Sequence, residues 1–243
     1  MQKNIFTSEE SQAVVDTLIE GNNAYLQERV NKLNTMEVSG GYAWTRPNHL
    51  DHSFATAELP FISKFTLKKA GESWQYLEFQ KDTNNDKILL IIKNQSRLAA
   101  TYEKKEGAKQ SQYLLDYAEI NRTIANPNGE KNSSDIIELE LFYDDPIFDQ
   151  VELKEQLQGF KAFYVIVYEL NNSRHIEKVE VVMLNPYSQL LESVQDLSNY
   201  LRLSEIPQFD AEILQDFPIE KPLITEGYGY LTREDEEADG EAQ

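Results

Sequence analysis

The chain has 243 residues, with 42 Asp and Glu against 23 Lys and Arg, so its formal net charge is −19. It contains no cysteine, which excludes disulfides, thiolate zinc sites, iron–sulfur clusters and cysteine catalysis. Its 40% hydrophobic and 11% aromatic residues are too many for a disordered chain, so we expect a folded protein that carries its acidity on the surface.

The negative charge is concentrated in the second half of the chain. Residues 1–134 contain 16 Lys and Arg against 17 Asp and Glu, whereas residues 135–243 contain 7 against 25, a net charge of −18. A field of this strength repels nucleic acid and anionic membranes and attracts cationic surfaces. We therefore expect a basic protein partner and no binding to nucleic acid or membrane.

The first half predicts a long helical segment followed by strands. Thr7 and Glu10 form a capping box ahead of apolar residues at helical spacing, and Gly21-Asn22-Asn23 predicts a break into two helices. The patterns that follow predict a short helix over 46–57, a strand from Phe61, a hairpin over 74–80 and 87–93, and a helix over 110–124.

The second half opens with a polar linker over residues 126–134, which contain turn formers and no apolar residue. A strand is predicted over 136–143, and an antiparallel hairpin over 161–170 and 174–184. Asn185-Pro186 predicts the start of an amphipathic helix over 187–201. An extended segment punctuated by prolines follows over 204–233.

Together these elements predict an α+β fold with antiparallel sheets and packed helices, in two subdomains. The predicted units are a near-neutral subdomain 1–125, a linker 126–134, an acidic subdomain 135–233 and a disordered acidic tail 234–243. The first ten residues lack an apolar signal core and no apolar run approaches the length of a membrane span, so we expect a cytoplasmic protein.

The segment His49-Leu50-Asp51-His52 resembles the second half of the HxHxDH metal signature of the metallo-β-lactamase fold. Pro47 stands where the first histidine of that signature belongs, and only His175 remains downstream. We therefore interpret the segment as the start of a helix, in which Asn48 caps the N-terminus and the helix dipole favours Asp51 in the first turn.

Two carboxylate arrays resemble metal sites in the same partial way. Asp82, Asn84 and Asp86 match the start of an EF-hand calcium loop, but lysines replace its glycine and its final glutamate. The second array resembles the D…ExK set of restriction-endonuclease-type nucleases and consists of Asp145, Glu152 and Lys154. The segment around Glu152 predicts a short helix in acidic surroundings, which would repel DNA. We expect a hairpin turn and a solvated face, with no catalytic residue, metal or cofactor.

Two segments of the chain carry a resemblance to other proteins: Trp44-Thr45-Arg46-Pro47-Asn48 and the predicted helix Gln112-Tyr113-Leu114-Leu115-Asp116. In these segments and in its Asn-, Lys- and Ile-rich composition, the chain resembles uncharacterised bacterial proteins encoded on phages and mobile elements. The resemblance implies no catalytic residue and no assigned activity.

The charge pattern favours a non-catalytic inhibitor that docks a basic protein surface. It would act as a nucleic-acid mimic of the anti-restriction or anti-CRISPR kind, or as an immunity protein that neutralises a toxin. The predicted docking residues lie on predicted strands whose apolar residues face inward: Glu138, Glu140, Glu177 and Glu180. The alternatives are a divalent-metal-dependent hydrolase or nuclease that uses clustered carboxylates, and an acidity that only maintains solubility.

Overall fold

The computed structural model describes residues 4–70, 74–83, 86–105, 110–126 and 159–210. In these residues the α-helices are α1 (Ser8–Thr35), α2 (Arg46–Thr56), α3 (Gln95–Tyr102), α4 (Gln112–Ala118) and α5 (Arg122–Ala125). The strands are β1 (Ile62–Ala70), β2 (Trp74–Asp82), β3 (Lys87–Asn94), β4 (Ala162–Leu170), β5 (Ile176–Leu184) and β6 (Leu191–Asp196). None of these helices combines the length and apolar character needed to cross a membrane.

The six strands form one sheet in chain order, β1-β2-β3-β4-β5-β6. Neighbouring strands are antiparallel except β3 and β4, which pair in parallel from Ile88 opposite Ala162 to Asn94 opposite Tyr168. The predicted α+β class, with a mainly antiparallel sheet and packed helices, is confirmed.

Strands from both sides of the predicted linker lie in this one sheet, because β1–β3 precede residues 126–134 and β4–β6 follow them. Apart from Asn126, the linker lies outside the described residues, and so do the predicted strand 136–143 and the tail 234–243. The extended segment 204–233 is described only as far as Asp210.

Helices cover both faces of the sheet. Apolar side chains of α1 and α2, such as Leu18 and Leu50, are buried with Ile166 and Val181 on one face. On the other face, α3 and α4 bury Tyr102 and Tyr117 together with alternate residues of β3, β4 and β5. Central strands that are covered on both faces read as near-continuous apolar runs, which is the pattern of β3 and β4.

Helix α1 begins at the predicted capping box, in which the N–H of Glu10 donates to Thr7 Oγ1 at 3.2 Å and the N–H of Thr7 to Glu10 Oε2 at 2.9 Å. The predicted break at Gly21-Asn22-Asn23 is wrong, since α1 is continuous over 28 residues. Gly21 serves helix packing: a Cβ there would lie 3.0 Å from the Cα of Leu50 and 3.0 Å from Ser53 Oγ in α2.

This close approach predicts that Gly21→Leu separates α1 from α2. We expect the free energy of unfolding to fall by roughly 1–3 kcal/mol, because an overpacked interface forces backbone shifts. Urea denaturation followed by circular dichroism measures this loss. Ala24→Leu is the matched control, since Ala24 lies on the exposed face of the same helix. Equal stability of the two variants would contradict the close packing at Gly21.

Helix α1 is also tied to the second half of the chain. The buried Asn22 donates from Nδ2 to the carbonyl oxygen of Arg174 at 3.0 Å. Ahead of the helix, the N–H groups of Ile5 and Phe6 donate to Gln195 Oε1 on β6 at 2.8 and 2.9 Å. The N-terminal helix therefore depends for its position on residues 150 to 190 positions later.

The predicted amphipathic helix over 187–201 is wrong. The segment forms β6, the edge strand beside β5, followed by a short 3₁₀ turn at Ser198–Arg202. Asn185 caps a turn instead, because its Oδ1 accepts hydrogen bonds from the N–H groups of Tyr187 and Ser188 at 2.8 and 3.0 Å. Asn-Pro initiates tight turns as well as helices, and here the turn joins two antiparallel strands.

Candidate functional site

The predicted docking glutamates are only partly described, since Glu138 and Glu140 lie outside the described residues. Glu177 is exposed on β5. Glu180 is half-buried on the same strand, with Oε2 2.6 Å from Lys178 Nζ and Oε1 accepting from Ser193 Oγ at 2.9 Å. The hydrogen bond from Lys178 to Glu180, together with a further one to Glu169, raises the pKa of the Lys178 ammonium. Glu180 is thus paired with a cation in the same strand, and the docking role of the four glutamates stays a prediction.

The acidity of the second half lies mostly outside the described residues. Residues 159–210 contain 4 Lys and Arg against 7 Asp and Glu, a net charge of −3 out of the −18 for residues 135–243. The described surface of this half therefore carries only a small share of the field on which the docking hypothesis depends.

The three side chains of the histidine motif do not converge. Asp51 is buried, and its Oδ2 accepts a hydrogen bond from the N–H of Leu77 at 2.9 Å. His49 Nε2 lies 3.0 Å from Glu28 Oε2, and burial of this ring lowers its pKa. His52 is exposed.

The motif residues fall within α2, which begins at Arg46, so the predicted helix is confirmed. The predicted cap is wrong, because Thr45 is the N-cap residue and Asn48 lies inside the first turn. In the described parts of the chain, no group of three or more His, Cys, Asp or Glu side chains is placed to hold a metal ion. The D…ExK residues 145, 152 and 154 and residue 84 of the calcium-like loop lie outside those parts.

A cavity of about 380 Å³ opens at the edge of the sheet where the parallel strands β3 and β4 end. It lies between the two helical layers, with the first turn of α2 on one side and the first turn of α3 on the other. The start of β2 and the β4–β5 turn complete its wall. Crevices beyond the carboxyl ends of parallel strands are common ligand sites, and this volume lies within the usual range of small-molecule pockets.

Four cationic side chains line this cavity, which we call the arginine cavity: Arg46, Lys93, Arg97 and Arg174. They come from four separate elements, namely α2, β3, α3 and the β4–β5 turn. Glu169 is the one carboxylate in the described lining, and it already lies 3.3 Å from Lys178 Nζ. The lining of this cavity is therefore positively charged, although the chain as a whole is strongly negative.

Arg46 is the most unusual of the four cations because it is buried without a full set of hydrogen bonds. Its side chain is 5% exposed, and its guanidinium carbon lies 4.3 Å from the centre of the Tyr25 ring. Nε and Nη2 are buried and have no hydrogen-bond partner among the described residues. Unsatisfied buried donors are rare in folded proteins, and those on a charged group are the most costly.

Arg174 is held in a strained backbone conformation. Its φ is +64°, a left-handed value that residues with a Cβ rarely adopt. Two hydrogen bonds fix this conformation. The N–H of Arg174 donates to the carbonyl oxygen of Asn171 at 2.9 Å, and the carbonyl oxygen of Arg174 accepts from Asn22. Non-glycine residues with such strain cluster at functional sites, and here the strain sets a 5% exposed arginine against the cavity.

The ends of the neighbouring elements orient the remaining cations. Asn94 caps α3 by accepting from the N–H of Arg97 at 3.2 Å. Residues of the first turn of that helix line the cavity. The guanidinium carbon of Arg97 lies 5.2 Å from the Trp44 ring, and Lys93 Nζ lies 4.7 Å from the Tyr76 ring. Helix N-termini and cations both favour anions, so the arrangement is suited to holding a negatively charged ligand.

Sequence patterns did not identify this cavity, because its four cations are spread over 129 positions and no two share a recognisable motif. The available signal was the end of the apolar run Ile88–Ile92, where Lys93 and Asn94 precede a new helix. Polar residues directly after a buried strand mark a sheet edge that ligands often use.

The chain matches no protein-family model, and neither the curated proteins nor the solved structures include a significantly similar one. The candidate site therefore depends on its own geometry.

Proposed function

We propose that this protein is a binding protein that holds a small anion in the arginine cavity. The observation that carries the proposal is Arg46, a 5% exposed guanidinium that lines the cavity and has no carboxylate partner among the described residues. Three further cations line the same space, and the first turns of α2 and α3 add the favourable ends of two helix dipoles.

An anion supplies what this arrangement lacks. Removing a guanidinium from water costs several kcal/mol, and the contact with the Tyr25 ring restores only about 0.5–2 kcal/mol. An oxyanion in the cavity would balance the charge of the Arg46 guanidinium, which has no carboxylate partner among the described residues. Phosphate and carboxylate both match the forked geometry of a guanidinium, so an oxyanion is the chemistry that the cavity fits.

Thermal unfolding in sodium phosphate tests this proposal, because a ligand that binds the folded state stabilises it by about 2.7 kcal/mol at 100 times the dissociation constant. We expect phosphate to raise the Tm above that in sodium chloride of equal ionic strength. Arg46→Gln should weaken phosphate binding roughly 10–100-fold, since each hydrogen bond to a charged group contributes about 1.5–3 kcal/mol. Without phosphate, the variant should be no less stable than the wild type.

Arg122→Gln is the matched control. Arg122 is paired with Glu119 at 2.6 Å and does not line the cavity, so this variant should keep the full response to phosphate. The proposal is wrong if phosphate raises the Tm of the wild type and of Arg46→Gln equally, or raises neither above the sodium chloride value.

A second function, docking to a basic protein, is favoured by the net charge of −18 over residues 135–243. The partner would be a nucleic-acid-binding enzyme that mistakes the carboxylates for phosphates, or a basic toxin. This function uses the outer surface, whereas the arginine cavity lies between the helical layers, so both can exist in one protein.

In a pull-down from a lysate of its native host, we expect this protein to capture a basic partner at low salt and to release it at high salt, because salt screens exposed charges. Mass spectrometry identifies the captured partner. The capture should be abolished when four glutamates are replaced together by glutamine: Glu138, Glu140, Glu177 and Glu180. A matched variant with four tail acids of residues 234–237 neutralised should retain it. Loss in the tail variant alone would assign recognition to the tail and not to the predicted strands.

A further inference from the structure

Residues 207–209, which we call the clamp, bridge strand β5 and helix α1. On the strand side, the Gln208 amide bonds to both backbone groups of Ile176. Its Oε1 accepts from the N–H at 2.6 Å, and its Nε2 donates to the carbonyl oxygen at 2.9 Å. The pairing of β5 with β6 covers Glu180 to Leu184, so Ile176 lies outside it. The clamp thus takes the place of a neighbouring strand at this end of β5.

On the helix side, Asn23 of α1 holds the clamp with a second side-chain amide. Its Oδ1 accepts from the N–H of Phe209 at 2.7 Å, and its Nδ2 donates to the carbonyl oxygen of Pro207 at 2.8 Å. The half-buried ring of Phe209 packs against the cluster formed by Tyr25 and Leu26. Two amide side chains therefore fix three consecutive residues between elements that are remote in the sequence.

The clamp contacts the supports of two arginines in the cavity wall. The Tyr25 ring belongs to the cluster on which Phe209 packs, and its centre lies 4.3 Å from the guanidinium carbon of Arg46. His175 directly follows Arg174, and its Nε2 lies 3.2 Å from the carbonyl oxygen of Phe209. Arg46 and Arg174 come from α2 and from the β4–β5 turn, so a single segment supports two separate parts of the wall.

We infer that Gln208 and Phe209 are positioning residues for the arginine cavity, an inference that rests on the proposed anion-binding function. Neither residue is in the described lining. Gln208 acts through the backbone after Arg174, and Phe209 acts through Tyr25. Arg174 keeps a left-handed φ of +64°, and such strain persists only where the surroundings over-determine the backbone. When the clamp opens, this turn is free to relax and the cavity wall loses its shape.

Calorimetric titration of the full-length protein with inorganic phosphate tests this positioning role. Gln208→Met keeps the length of the side chain and removes both hydrogen bonds to Ile176. We expect its phosphate affinity to fall roughly 3–10-fold, because losing a typical hydrogen bond shifts an equilibrium by about that factor. The apparent affinity falls with the fraction of molecules in which the clamp is closed.

Ser198→Ala is the matched control. Ser198 Oγ accepts from the N–H of Val179 at 3.2 Å and donates to its carbonyl oxygen at 3.3 Å, so it makes the same kind of contact further along β5. This variant should keep the phosphate affinity of the wild type. Unchanged affinity in Gln208→Met, or an equal loss in both variants, would overturn the positioning role and leave the proposed function standing. A wild type that does not bind phosphate would overturn both.

Amide hydrogen exchange of the wild type gives a second readout that needs no variant. Coupling between two sites is reciprocal, so bound phosphate should hold the clamp closed. We expect phosphate to slow exchange at the N–H groups of Ile176 and Phe209, which donate to Gln208 and Asn23. The N–H of Val179 serves as the internal reference, and equal slowing at all three groups would contradict a coupling between clamp and cavity.

Discussion

Asn121→Ala should unfold this protein more readily than any other single polar substitution in the described core. Asn121 is fully buried between β4 and β5, just beyond the last pair of their ladder, Tyr164 and Met183. Its Nδ2 donates to the carbonyl oxygens of Phe163 and Leu184 at 2.8 and 3.1 Å, and its Oδ1 accepts from the N–H of Phe163 at 2.8 Å. The Asn121 side chain thus continues the hydrogen bonding between β4 and β5 at the point where their backbones cease to pair.

Alanine at this position leaves buried backbone groups without partners, at about 1–3 kcal/mol for each. We expect the free energy of unfolding to fall by about 3–5 kcal/mol, measured by urea denaturation. Asn126→Ala is the matched control, because Asn126 is exposed five residues further on, and it should change stability by less than about 0.5 kcal/mol. A loss below about 1 kcal/mol for Asn121→Ala would mean that other groups satisfy the strand ends.

Asp51→Asn should stabilise the protein at alkaline pH. Asp51 is 7% exposed, and this burial raises its pKa to about 7, although the N–H of Leu77 and the charge of Lys93 oppose the shift. A carboxyl whose pKa is higher in the folded state than in the unfolded state destabilises the fold as it ionises. Its contribution to stability is therefore lost as pH rises from about 4 to about 7, by at most about 4 kcal/mol.

Asparagine keeps the acceptor for the N–H of Leu77 but carries no charge. The variant should accordingly be more stable than the wild type at pH 8 by a few kcal/mol and nearly equal to it at pH 4, as measured by denaturation at each pH. Asp82→Asn is the control: Asp82 is exposed, and its hydrogen bond from Gln80 lowers its pKa, so its effect has the opposite sign. A less stable Asp51→Asn at pH 8 would show that attraction to Lys93 outweighs the loss of hydration.

Local sequence signals predicted most of the elements, because each of those elements is specified by neighbouring residues. The capping box at Thr7 starts α1, and the apolar run before Lys93 forms β3. The errors occur where a residue serves a distant partner. Gly21 suggested a helix break by its type, yet it is required by contact with Leu50, which is remote in sequence.

The error over 187–201 has a geometric origin. Leu191 packs on one face of the sheet and Val194 on the other, because the pairing of β5 with β6 shifts between Val181 and Val182. A β-bulge of this kind breaks the period of two, so apolar residues three apart imitate a helical repeat. No single-chain pattern separates a bulged edge strand from a short amphipathic helix, since both have the same spacing.

The candidate site was less predictable than the fold. Arg46 and Arg174 are ordinary cations in the sequence, and only the fold, which brings α2 and the β4–β5 turn to one cavity, places them together. The charge imbalance that dominates the sequence lies largely in other segments. Net charge describes the outer field of a protein, whereas ligand sites depend on which few charges the fold removes from water.

The link between α1 and β6 has a consequence for the synthesis of this protein. Gln195, which holds the backbone ahead of α1, is translated 190 residues after Ile5, about 10–40 s later at about 5–20 residues per second. During that interval α1 has left the ribosome while the strand residues that cover Leu18 and Ile19 are still being made. The nascent chain therefore cannot complete the contacts of α1 until β6 has been made, and before then α2, whose Leu50 and Phe54 belong to the same cluster, is available to cover Leu18 and Ile19.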